Sequence, residues 1–90
     1  MINPIQHKLN STYNLFLTKL ILWHGLYNKV KADKEQQFHP IKNYEKMIHL
    51  QATVKSLLPE IEQLDRDSIK SYYPLVDDVA LIKLFKEVIG

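Results

Sequence analysis

The sequence predicts an all-α fold: a long antiparallel helical hairpin plus a shorter C-terminal helix, forming a three- or four-helix bundle. Three observations predict it. Leu9, Tyr13, Phe16, Leu20, Trp23, Tyr27 and Val30 recur in steps of three and four, the period that keeps side chains on one helix face. Met47, Leu50, Val54, Leu57, Ile61 and Leu64 repeat that pattern beyond a short polar break. Only two glycines, Gly25 and Gly90, occur in 90 residues, which disfavours sandwiches and dinucleotide-binding sheets, since both need glycine turns. Residues 1–90 read as one helical domain.

The first helix is expected over about 4–32. Asn3 is a favoured N-cap, Pro4 suits the first helical position, and Gln6 stands where a capping-box side chain would. Gly25 inside it costs about 1 kcal/mol relative to alanine. The polar run 33–39 breaks the pattern. Pro40 restarts a helix, with His39 as cap and Phe38 placed to staple back onto it. This second helix is expected over about 40–66. Pro59 removes one of its hydrogen bonds, yet the stripe runs through in register, so a kink or a break is expected there. Asp67 and Ser68 can cap a short turn before Tyr72-Tyr73-Pro74. Asp77 or Asp78 then caps a final helix over about 78–89, with Lys83 and Lys86 suited to its later turns.

The chain has no cysteine, which excludes disulfide frameworks and thiol chemistry and fits a reducing compartment. Its most apolar stretch, Leu15 to Leu22, is broken by Lys19 and is too short to span a membrane. The N-terminus lacks the pattern of a signal peptide. The expected setting is therefore cytoplasmic, without membrane contact.

Charge is unevenly placed. Residues 1–49 hold seven lysines against three carboxylates, net +4, and residues 50–90 are net −2. Lys29, Lys31, Lys34, Lys42 and Lys46 gather at the expected hairpin tip, where they are candidates for sequence-independent contact with nucleic-acid backbone. Tyr27 and Tyr44 are expected to face each other there and to offer aromatic faces. The plain alternative is a solvated tip balanced by Asp33, Glu35 and Glu45.

No motif for catalysis or cofactor binding emerges, so no enzyme activity and no cofactor are expected. His24, Glu45 and His49 have a ligand set suited to zinc, but neither an HExxH nor a paired ExxH pattern accompanies them, and no metal site is assigned. The acidic run Glu60, Glu62, Asp65 and Asp67 reads as a solvated helix face.

The more telling feature is surplus apolar surface. Leu15, Leu22 and Leu26 lie off the first stripe, and Leu81, Phe85 and Ile89 belong to a last helix that is apolar on most sides. A helix apolar all round must be buried all round. These six residues are therefore the candidate partner interface, for another protein or for a second copy. The expected function is non-catalytic: a small helical subunit or adaptor docking into a larger assembly, its basic tip touching nucleic-acid backbone. By fold analogy alone, small helical subunits of RNA-guided defence complexes have this character. The alternative is a small helical inhibitor or immunity protein that blocks one target, using its acidic 60–78 face or the Tyr72-Tyr73 turn.

Overall fold

Pro4 opens a 32-residue helix, α1 (Pro4–Glu35), and with about 1.5 Å of rise per residue that helix sets the length of the molecule. The computed structural model describes residues 4–35, 41–64, 69 and 72–90. It contains three helices: α1, α2 (Ile41–Glu62) and α3 (Asp78–Ile89), with no strand among the described residues. The expected Asn3 cap, the Phe38, His39 and Pro40 restart, the helix end near Arg66 and the Asp67 and Ser68 cap lie outside the described residues, as does the Gln6 side chain.

α1 runs one turn beyond the expected end at residue 32. Lys34 and Glu35 are good helix formers, and the apolar period marks where a helix buries its face, not where its hydrogen bonds stop. α2 passes through Pro59 as one helix and ends at Glu62, short of the expected 66. Pro59 leaves the Lys55 carbonyl without its helical partner. Both residues are exposed, so that carbonyl can turn to water. The chain then tightens into two three-residue bonds, Gln63 N–H to the Glu60 carbonyl at 3.3 Å and Leu64 N–H to the Ile61 carbonyl at 3.1 Å.

α1 and α2 pair antiparallel. The Trp23 indole N–H donates to Gln51 Oε1 at 3.2 Å, and the Lys34 ammonium sits 5.8 Å from the centre of the Tyr44 ring. α3 starts and ends close to its expected bounds. The Asp77 side chain caps it by accepting from Ala80 N–H at 3.1 Å, and Gly90 N–H closes it on the Lys86 carbonyl at 2.9 Å. α3 packs on α1 through the Phe85 ring, which meets Trp23 edge to face with centroids 4.9 Å apart.

The all-α class holds, and the helix contacts do not confirm a bundle arrangement. Among the described residues the backbones of α2 and α3 make no close approach. Lys86 pairs with Glu62 across that gap, but the pair is about half exposed and contributes roughly 0–1 kcal/mol. The molecule is a hairpin with a third helix laid against α1, 53 × 23 × 23 Å in extent.

One core joins the three helices. It is built on Tyr13, Phe16, Leu20, Trp23 and Val30 of the first stripe and Met47, Val54 and Ile61 of the second, together with Phe85. Leu17 and Leu58, off both stripes, are buried as well. Leu50, Leu57 and Leu64, on the second stripe, stay partly exposed. Burial is thus rotated toward the side that α3 covers.

Candidate functional site

All five tip lysines are exposed. They do not form one flat patch. Lys29 and Lys31 are two positions apart on a helix and so diverge by about 160° around its axis. Lys34 is drawn toward the Tyr44 ring. Tyr27 does not join it as a second aromatic face. Its ring stacks on Trp23, with centroids 5.2 Å apart and planes 17° from parallel. Among the described residues the aromatic surface at the tip is that of Tyr44, with Ile41 and Ile48 exposed along the same helix.

The histidines do not converge. His24 turns toward α3, lining a shallow depression with Ile21, Val76, Asp77 and Leu84, and its Nε2 lies 3.3 Å from the Asn28 amide. Glu45 and His49 lie on another exposed face of α2, beside Tyr44 and Ile48. The contacts Trp23–Gln51 and Lys34–Tyr44 centre the hairpin near residues 37–39, which sets His24 level with about residues 50–54 of α2 and not with Glu45. Among the described residues no group of three His, Asp or Glu side chains is placed to hold a metal ion.

The six interface candidates separate. Leu15 and Leu22 are 52% and 51% exposed. Leu26, Leu81 and Ile89 are partly buried against the core. Phe85 is fully buried, so its expected place on an accessible partner surface is corrected: it is the residue that seats α3.

The best-defined exposed feature is one whose anchoring the sequence reading missed. Asn14, 3% exposed, accepts the Tyr72 backbone N–H at 2.7 Å through Oδ1 and donates from Nδ2 to the Asn10 carbonyl at 2.8 Å. Thr18 donates its hydroxyl to the Asn14 carbonyl at 2.8 Å. That leaves the Tyr73 hydroxyl, 2.7 Å away, as the donor to Thr18 Oγ1. The Tyr13 hydroxyl donates to the Asp78 carboxylate. Val76 N–H bonds the Tyr73 carbonyl and Asp78 N–H the Val76 carbonyl, each at 3.1 Å. Three side chains of α1 therefore hold the segment 72–78 in place.

What this segment displays is apolar. Leu75 is 99% exposed, Tyr72 63% and Val79 61%. The signal in the sequence was Asn14 itself, a poor helix former deep in α1 with Thr18 four residues on. A buried amide must find partners, and here the one for its oxygen lies 58 positions away. Replacing it tests the arrangement. Asn14→Ala strands the Tyr72 N–H and should cost about 1–3 kcal/mol, read as a lower midpoint in urea with an unchanged slope.

No described helix is long and apolar enough to cross a membrane. No protein family, curated protein or solved structure matches this chain.

Proposed function

We propose that this chain is a non-catalytic docking subunit that joins a larger protein assembly through apolar surface, with the Tyr72–Val79 segment as its anchor. The observation that carries this reading is Leu75, almost wholly exposed on a segment that partly buried hydrogen bonds tie to α1. Exposed apolar side chains normally cost nothing to leave mobile. Here the backbone is already ordered, so a partner that buries Tyr72, Leu75 and Val79 meets little further ordering cost. Of the three, Tyr72 is of the residue type enriched in interface hot spots. A cytosolic setting goes with the cysteine-free composition.

The inhibitor reading draws less support. On its acidic 60–78 face the Asp77 side chain caps α3 and the Asp78 carboxylate accepts from Tyr13, and its other candidate surface, the Tyr72-Tyr73 turn, is shared with the docking reading. The two readings part on whether the captured partner keeps its own activity when bound.

The test is capture of the partner by the tagged chain from its native cells. Leu75→Glu with Tyr72→Ser should abolish capture and leave the melting temperature unchanged, since both side chains are exposed. Capture that survives this pair of changes contradicts the reading.

The nucleic-acid arm rests on the five exposed tip lysines. Binding to single- or double-stranded nucleic acid should weaken steeply with salt. Charge reversal at Lys29, Lys31, Lys42 and Lys46 should abolish it. No binding at low salt with micromolar protein removes this arm and leaves the docking surface standing.

A further inference from the structure

A second apolar surface runs along the hairpin itself. On α1, Leu15 and Leu22 are seven residues apart; on α2, Leu50, Leu57 and Leu64 repeat the same spacing. Seven residues fall about 20° short of two full turns, so each set forms a nearly straight row. The α1 row is left about half exposed, and the α2 row packs against the core with only part of its surface open. Leu15 and Leu22 are half exposed while Leu17 beside them is buried, and Leu57 remains partly exposed while its neighbour Leu58 is buried.

The rows share one side of the molecule. On α1 the residues that turn to α3 are Ile21 and His24, which lie on the Leu17 side. On α2 the residue that reaches α3 is Glu62, on the Leu58 side. About 100° per residue carries Leu15 and Leu22 to the opposite flank of α1, and Leu50, Leu57 and Leu64 to the matching flank of α2. α3 thus lies over the α1 half of one broad side of the hairpin, reaching α2 through the Lys86–Glu62 pair, and the two leucine rows border the other side.

We infer that this side is a self-association face, on which a second copy of the chain lies antiparallel to form a two-fold dimer with a four-helix centre. A surface two helices wide is best filled by another surface two helices wide, and the same surface on a second copy has that width and those rows. Its size is adequate: a side of 53 by 23 Å can supply the roughly 800 Å² per partner that a standard interface buries.

Charge selects the orientation. Lys29, Lys42 and Lys46 flank the tip end of this side, and Lys8 and Glu60 lie together at the open end. A tip-to-tip arrangement sets three lysines against their own copies. An antiparallel arrangement sets them against an end where the described charges on this side, Lys8 and Glu60, cancel. Register agrees, because the midpoint of Leu15 and Leu22 falls near residue 19, the middle of α1, so a two-fold axis there overlaps the whole helix. Lys19 is the charge nearest that axis. Its presence makes the dimer weak and gives a second handle on it.

Sedimentation of the full chain over a concentration series tests the proposal, and the melting temperature controls for folding. The wild-type chain should pass from 10.6 kDa to twice that mass as concentration rises. Leu15→Glu with Leu22→Glu should hold it at monomer mass with no loss of melting temperature. Lys19→Leu should shift dimer formation to lower concentration. A wild-type chain that remains monomeric up to about 1 mM, the weak limit of specific association, overturns the inference. So does a dimer that the two glutamates leave intact.

The absence of cysteine supplies the orientation test. With Leu15→Cys and Leu22→Cys together, the two thiols of one chain stand about 10 Å apart along α1 and cannot pair. Antiparallel copies should oxidise to disulfides between position 15 of one chain and position 22 of the other. Links of 15 to 15 and 22 to 22 contradict the antiparallel arrangement.

Discussion

Trp23→Ala is expected to bring the chain close to unfolding at room temperature. Trp23 is fully buried and stands where all three helices meet: its ring stacks on Tyr27 of α1, meets the Phe85 edge of α3, and its N–H reaches Gln51 of α2. Truncating a buried tryptophan costs about 3–5 kcal/mol through lost transfer energy and the cavity left behind. A domain of this size has a total stability of roughly 5–13 kcal/mol. The loss should lower the thermal midpoint by at least about 12 °C. Far-UV circular dichroism is the suitable probe, since the substitution also removes the sole tryptophan fluorophore. A midpoint change of a degree or two contradicts the place given to Trp23.

Phe85→Ala is expected to cost a similar amount, about 3–5 kcal/mol, by a different route. Phe85 is the one fully buried side chain of α3 among the described residues. Its other apolar contacts, through Leu81, Ile82, Leu84 and Ile89, are only partly buried, and its polar ties are the Tyr13–Asp78 bond at its start and the half-exposed Lys86–Glu62 pair near its end. Without the ring, α3 has no deep apolar anchor. Amide exchange should therefore rise across residues 80–89 before it rises in α1 or α2. Combining the two substitutions should reveal a coupling of about 0.5–1.5 kcal/mol from the edge-to-face ring pair. Strict additivity contradicts direct contact between the rings.

These two residues also show what the sequence makes legible. The period that put Trp23 on a stripe placed it correctly in the core, because a helix face and its partner must share a period. Asp77 announced the start of α3 by its chemistry, and the cap bond to Ala80 is there. Phe85 was read as surface because α3 is apolar on most sides. Which of Leu81, Ile82, Leu84 and Phe85 turns inward depends on how α3 crosses α1, a tertiary fact with no local signature. The same limit applies to the leucine row of α2. Leu50, Leu57 and Leu64 share the period of Met47, Val54 and Ile61, and how α2 is rotated against α1 decides that one row is buried and the other left partly exposed.

The candidate site was less legible still. Tyr72-Tyr73-Pro74 stood out by composition, but its rigidity comes from Asn14 and Thr18, far away in sequence. Hydrophobic periodicity ignores such residues, since it treats a buried asparagine and an exposed one alike. At the tip the sequence located the lysines well and the aromatics less well. Tyr27 belongs to the Trp23 stack, and Tyr44 alone keeps the company of Lys34.

The central claim is that function resides in apolar surface the fold holds in place without covering, and above all in the Tyr72–Val79 segment. Amide hydrogen exchange, measured on the free chain and on the chain bound to its captured partner, tests it most directly. The account predicts new protection at the amides of residues 72–80 on binding, and little change along the exposed face of α2 that carries Ala52 and Lys55. Protection that leaves 72–80 untouched while appearing elsewhere on the chain would contradict it.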